Sequence, residues 1–114
     1  MIETPARTDV GDFAVLVAED AGQIVAHVAG EIDMATCGRL RDAIEPHLGA
    51  GQRVVLDLAG VSFMDSSCLS VLLKARTTLG ADGGSLILRN PSEIASRLLS
   101  RSGVAELFDT ELDQ

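Results

Sequence analysis

The chain reads as an α/β domain, a mixed β-sheet with helices packed on it in the order β-β-α-β-α-β-α-(β). Three observations predict this class. Two apolar runs near the start are joined by a link too short for a crossover helix, so they form an antiparallel hairpin. The run Val54-Val55-Leu56-Asp57-Leu58 has the nearly continuous apolar character of a central strand covered on both faces. Later strands alternate with segments of helical periodicity, which implies right-handed crossovers onto one sheet.

The elements follow in order. Phe13 to Ala18 is the first strand, with Phe13, Val15 and Val17 on one face. Glu19 to Gly22 is a turn, and Gln23 to Ala29 is the second strand. Gly30-Glu31-Ile32-Asp33 ends that strand, and Asp33 is placed to cap a helix running to about Leu48. Leu40, Ala43, Ile44 and Leu48 share its apolar face; Gly49 and Gly51 stop it. After the Val54–Leu58 strand, Ala59 to Met64 reads as a connection. Asp65 caps a helix from Ser66 to about Leu79, lined by Cys68, Leu72, Ala75 and Leu79. Gly80 to Gly84 breaks it, and Ser85 to Arg89 is a short strand. Asn90-Pro91-Ser92-Glu93 starts a third helix, with Asn90 as cap and Pro91 at its first position. That helix buries Ile94, Ala95, Leu98 and Leu99 and ends at Gly103; Val104 to Phe108 is read as a last strand. The hairpin is expected to cover one side of the sheet.

Length and composition bound the function. The 114 residues amount to one domain, read as a flexible leader over 1–11 and a single domain over 12–114. Apolar residues make up 46% and aromatics 3%, so the core is aliphatic and there is no ring surface on which bases would stack. The net charge of −8 disfavours nucleic acid and anionic membrane as partners. No apolar run approaches the roughly 18–20 residues of a membrane span, and residues 1–11 lack a signal-peptide core. A cytoplasmic location is the expectation. Cys37 and Cys68 fit neither a redox nor a zinc spacing, and are expected to be small, reduced, unpaired thiols.

Enzyme chemistry finds little support. The chain has no phosphate-binding glycine loop, no dinucleotide fingerprint and no nucleophile elbow. Its two histidines, His27 and His47, lie in a strand and near a helix end, where structural roles are the default. No catalytic residue, cofactor or metal site is assigned. The acidic pair Glu19-Asp20 and the strand aspartate Asp57 are shared with phosphate-accepting receiver domains. A receiver needs a helix after the acidic pair, whereas Gln23 begins a strand almost at once.

Phe63-Met64-Asp65-Ser66-Ser67-Cys68-Leu69 follows the central strand and opens a helix. With Gly30-Glu31-Ile32-Asp33 upstream, it closely resembles the STAS domain family, from about Phe13 to Phe108. The nearest members are anti-sigma factor antagonists. The resemblance implies a STAS-like mixed sheet and a regulatory function. The unphosphorylated antagonist binds an anti-sigma factor, a serine kinase of the histidine-kinase-like ATPase type, and so releases a sigma factor. Phosphorylation of the first serine after the motif aspartate, Ser66 here, inactivates it, and a serine phosphatase reverses this. The binding face implied by the resemblance carries over to Asp33, Met64, Asp65, Ser66 and Ser67. One departure is Cys68, where the family usually has glycine; a side chain there is expected to crowd the partner or alter the first turn.

From the residues alone, a serine at a helix start is also an ordinary structural cap, and Ser67 is the alternative acceptor. A phosphate adds about −1.5 to −2 charges. The positive end of a helix tolerates that anion, so modification is expected to act on the partner and leave the fold intact. The alternative function is a STAS subunit of a lipid-transport or stressosome-like assembly.

Overall fold

The computed structural model describes residues 13–49 and 51–112. The expected leader over 1–11, and the boundary drawn at 12, lie outside them. Strand β1 (Phe13–Asp20) turns through Ala21 and Gly22 into β2 (Gln23–Ile32), with Asp20 paired to Gln23 and Phe13 to Gly30. Both loop residues have positive φ, 55° at Ala21 and 84° at Gly22. That is the two-residue turn whose twist matches a hairpin, and glycine adopts it without strain. The hairpin lies in the plane of the sheet as its edge; it does not cover a side, as the sequence led one to expect.

Strand β3 (Arg53–Met64) occupies the middle of a five-stranded sheet of order β1-β2-β3-β4-β5, completed by β4 (Ser85–Arg89) and β5 (Asp109–Glu111). Among the described strands only β1 and β2 pair antiparallel; the other pairs are parallel. The connection expected over Ala59–Met64 is strand. Its pairing with β2 slips twice, from His27↔Asp57 to Ala29↔Gly60 and from Gly30↔Val61 to Glu31↔Phe63. Each slip inserts an extra residue on β3, which breaks the two-residue alternation from which a strand is read.

The three parallel crossovers are α1 (Cys37–Ile44), α2 (Leu69–Ala81) and α3 (Glu93–Arg101). Their apolar faces join Val54, Leu56 and Leu58 of β3 in one core containing Leu40, Ile44, Leu72, Leu79, Ala95 and Leu99. Helix α1 is shorter than the expected run to Leu48. Pro46 has no N–H to donate and would crowd the preceding turn, so the chain tightens into a 3₁₀ turn over Glu45–His47. Helix α3 is capped by Ser92, whose Oγ accepts from Ala95 N at 3.3 Å, instead of by Asn90. Asn90 turns into the left-handed region at φ 49° and donates its N–H to Glu111 O at 2.9 Å. The last strand also falls later than Val104–Phe108: Ala105–Leu107 forms a 3₁₀ turn, Phe108 drops into the core, and Asp109–Glu111 pair with β4.

The opposite face of the sheet carries none of these helices. Its buried apolar cluster is one row, Val25, Val55 and Ile87, aligned across three strands. Val55 is nevertheless 0% exposed. Arg53 Nη2 reaches Glu111 Oε2 at 2.9 Å and Arg53 Nε reaches Gln23 Oε1 at 2.8 Å, while Arg89 Nε bonds Glu111 Oε1 at 3.0 Å. Arg53 and Glu111 stand on opposite sides of the Val55–Ile87 row, so their bond closes over it. Half-exposed ion pairs contribute little themselves, but the arginine stems shelter apolar surface. Charged side chains, not a second helical layer, cover the second face of the central strand.

Two glycines give a paired test of this packing. A Cβ on Gly84 would overlap Gln52 O, a backbone atom that itself accepts from Ser85 N at 3.0 Å. Gly80 sits in α2, and a methyl group projecting from it would meet nothing within 4 Å. Urea denaturation is expected to show Gly84→Ala destabilised by about 1–3 kcal/mol and Gly80→Ala stabilised by about 0.5–1 kcal/mol.

Candidate functional site

Parallel strands deliver their following loops to the same end of a sheet, where ligand sites gather in α/β folds. Here Glu31 pairs with Phe63 and Ile32 with Met64, and Asp65 N donates to Ile32 O at 3.1 Å. The two sequence motifs, 30–33 and 63–69, therefore leave adjacent strands at the same height. The structure brings Asp33, Asp65, Ser66 and Ser67 to one rim.

The first loop is a pinned turn. Asp33 Oδ1 accepts from Ala35 N at 2.9 Å and from Thr36 N at 3.1 Å. Thr36 Oγ1 donates to Glu31 O at 2.9 Å and accepts from Asp33 N at 2.9 Å. Asp33 thus holds the turn ahead of α1 and does not cap the helix directly; the helix begins at Cys37. Thr36 does not stand out in the sequence. It is the buried polar residue among the described residues, and it carries no motif signature because its role is local hydrogen bonding.

The second loop opens as a 3₁₀ turn over Ser66–Cys68 before α2. Asp65, extended at φ −116°, accepts from Ser67 N at 2.9 Å, as a cap does. The same carboxylate oxygen accepts a short hydrogen bond from the Ser67 hydroxyl. Ser66 differs from its neighbour. It is exposed, and its hydroxyl has no partner among the described residues. The two serines, equivalent candidates in sequence, are chemically distinct here: one hydroxyl is engaged by Asp65 and the other faces water.

Met64 sits elsewhere than on the rim's surface. Its side chain is 4% exposed in the core, so it supports the loop from beneath. Cys68 also points inward and is fully buried, so its side chain fills core space and does not stand between Ser66 and a partner. Burial pushes the Cys68 thiol up from 9.0 to about 12, reinforced by the neighbouring Cys37 thiol and the Asp65 carboxylate. Both cysteines are unpaired. The described residues include no group of three or more His, Cys, Asp or Glu side chains placed to hold a metal ion. His27 lies out on β2, with Nδ1 3.5 Å from Asp57 Oδ2. Two exposed apolar side chains border the rim, Met34 on the crest of the first turn and Phe63 near the end of β3. Periodicity does not mark either one, because Met34 lies in a turn and Phe63 follows the second bulge.

A family model described as the STAS domain matches residues 14–113. The anti-sigma-B factor antagonist of Bacillus subtilis is 33% identical over 93 residues, covering 82% of this chain and 85% of that protein. A crystal structure of an anti-sigma factor antagonist from Mycobacterium paratuberculosis superposes with a TM-score of 0.78 at 26% identity, covering 96% of this chain and 90% of that one. The Bacillus cell fate determinant SpoIIAA in its phosphorylated form superposes with a TM-score of 0.66 at 25% identity, covering 85% of this chain and 90% of that one. Among the described residues, no helix is long and apolar enough to cross a membrane.

The buried thiol makes stability depend on alkaline pH. The unfolded chain loses the Cys68 proton near pH 9.0, whereas the folded chain keeps it to about 12. Above the lower value the unfolded state binds fewer protons, so stability present below it is lost as pH climbs toward the upper one. The chain has no tyrosine to titrate in the same range. Urea midpoints are expected to fall across that window, and Cys68→Ala is expected to flatten the decline. A thiol reagent near neutral pH should label Cys37 in the folded protein and Cys68 only after denaturation.

Proposed function

The chain belongs to the STAS domain family, and we propose that within it this protein is an anti-sigma factor antagonist switched by Ser66. In this reading the unphosphorylated chain binds an anti-sigma factor, a serine kinase of the histidine-kinase-like ATPase type, and thereby releases a sigma factor in the cytoplasm. Phosphorylation of Ser66 inactivates it, and a serine phosphatase restores it. The observation that carries this reading is the contrast between the two serines. A kinase needs an accessible acceptor, and the Ser66 hydroxyl is exposed and unengaged, whereas the Ser67 hydroxyl donates to Asp65. The named relatives support the antagonist role, and the phosphorylated form of SpoIIAA supports a phosphorylated state for a chain of this fold.

The mechanism follows from the site's construction. Asp33 and Asp65 hold their loops through backbone N–H groups, so the rim is shaped before any partner arrives. Ser66 is exposed, and its hydroxyl has no partner among the described residues that a phosphate would displace. Modification therefore leaves the loop standing and adds about −1.5 to −2 charges at the centre of the binding face. The added bulk, and the need to strip water from a dianion inside a packed interface, oppose binding. Met64 and Ser67 contribute by keeping the loop in place.

Incubation with the cognate kinase and ATP, followed by peptide mass spectrometry, is expected to place phosphate on Ser66. Ser66→Ala should bind the kinase and stay unmodified; Ser66→Asp should bind weakly; both should melt close to wild type. Phosphate on Ser67 alone would shift the switch by one residue, and neither phosphate nor kinase binding would remove it. Asp33→Ala and Asp65→Ala should each lose about 0.5–2 kcal/mol of stability by denaturant titration, and their loss of kinase affinity should exceed that folding loss. Wild-type affinity in both folded variants would place the binding face elsewhere.

A further inference from the structure

A single exposed apolar side chain carries no meaning in a soluble domain. Two at one rim are a different observation. Met34 is 81% exposed and Phe63 is 41% exposed, and the strand pairing that sets Glu31 beside Phe63 puts both at the end of the sheet that carries Ser66. The other exposed large apolar residues, Leu107 and Leu112, flank β5 at the far edge of the sheet. Met34 is also held out rigidly. It stands between Asp33 and Ala35 in a turn closed by the Asp33 carboxylate and the Thr36 hydroxyl. A fixed backbone leaves only the side chain's own rotamers to be ordered on binding, and a flexible thioether adapts to the pocket it enters. Around the two apolar groups the rim is acidic: Glu31, Asp33 and Asp65 belong to the same pair of strand ends and loops.

We propose that Met34 is the apolar anchor of the partner interface, entering an apolar pocket framed by lysine and arginine side chains on the anti-sigma factor, with Phe63 packed at the pocket's edge. The inference rests on the function proposed above and adds the residue that sets affinity. An apolar centre with a charged surround is the usual construction of a specific protein interface, and energy concentrates in its few central side chains. The acidic surround of Glu31, Asp33 and Asp65 supplies the complement for the partner's basic frame and steers encounter. The placement also fits the switch, because a phosphate on Ser66 would then have to shed its water at the same end of the sheet where Met34 is seated.

Binding of the full chain to the cognate anti-sigma factor, measured by titration calorimetry and by association kinetics, tests this. Met34→Ala is expected to weaken affinity on the order of tenfold or more, and Phe63→Ala by less. Met34→Leu, of similar volume, should retain most of the affinity, and all three should melt like wild type. Glu31→Gln should lower the association rate and reduce its dependence on salt. Equal binding by wild type and Met34→Ala would overturn the anchor while leaving the antagonist reading intact. A Met34→Ala protein that loses self-association but keeps partner binding would overturn it in favour of a contact between copies of this chain. Failure of the unmodified wild-type chain to bind any such factor would overturn both readings together.

Discussion

The parallel pairing of β2 with β3 at their ends is the constraint on which the site depends. Ile32 lies beside Met64, and the Asp65 N–H is tied to the Ile32 carbonyl, so two loops far apart in the chain leave the sheet as neighbours. That alignment survives two bulges on β3. Each inserted residue bends the strand and resets which side chains face the core, leaving Val61 and Met64 inward and Ser62 and Phe63 outward. Without the bulges, strict alternation would set Ser62 on Met64's face and turn Phe63 to the opposite one. The bulges therefore place the loop and turn Val61 into the core in place of Ser62, while Phe63 faces outward in either case.

Within the rim, structural and functional groups are separated. The two carboxylates that mark the motifs are occupied with backbone N–H groups, and Ser67 is bound to one of them. The serine hydroxyl left unused there belongs to Ser66. Modification of Ser66 as proposed would act on recognition with little effect on stability, since its hydroxyl has no partner among the described residues. The same separation explains Cys68. Facing the core, its side chain is part of the packing beneath α2's first turn, and burial there keeps the thiol protonated and inert.

The sheet has two unlike faces, and this bears on how a central strand is read. Helices cover Val54, Leu56 and Leu58, while a lattice of Gln23, Arg53, Arg89 and Glu111 closes over Val25, Val55 and Ile87. Long charged side chains hide a narrow apolar row as effectively as a helix would. Burial on both sides does not require two helical layers.

The sequence by itself determined the hairpin, the first half of β3, β4 and the existence of three helices. Each of these depends on neighbours within a few residues: apolar spacing, turn residues, caps. It also located the Asp65-Ser66-Ser67 motif at a strand-to-helix junction, because strand, cap and helix signals are consecutive there. Tertiary structure decided the rest. The second half of β3 is strand because β2 is there to pair with it across two bulges. The cap of α3 falls to Ser92, while Asn90 turns into the left-handed region and donates its N–H to Glu111 of a strand that comes later in the chain. The last strand moved to Asp109–Glu111 because Phe108 had a core to enter. The difference between Ser66 and Ser67 arose from which hydroxyl Asp65 could reach. These outcomes turn on contacts between distant segments or on side-chain directions set by the folded backbone, and neither is written in local spacing.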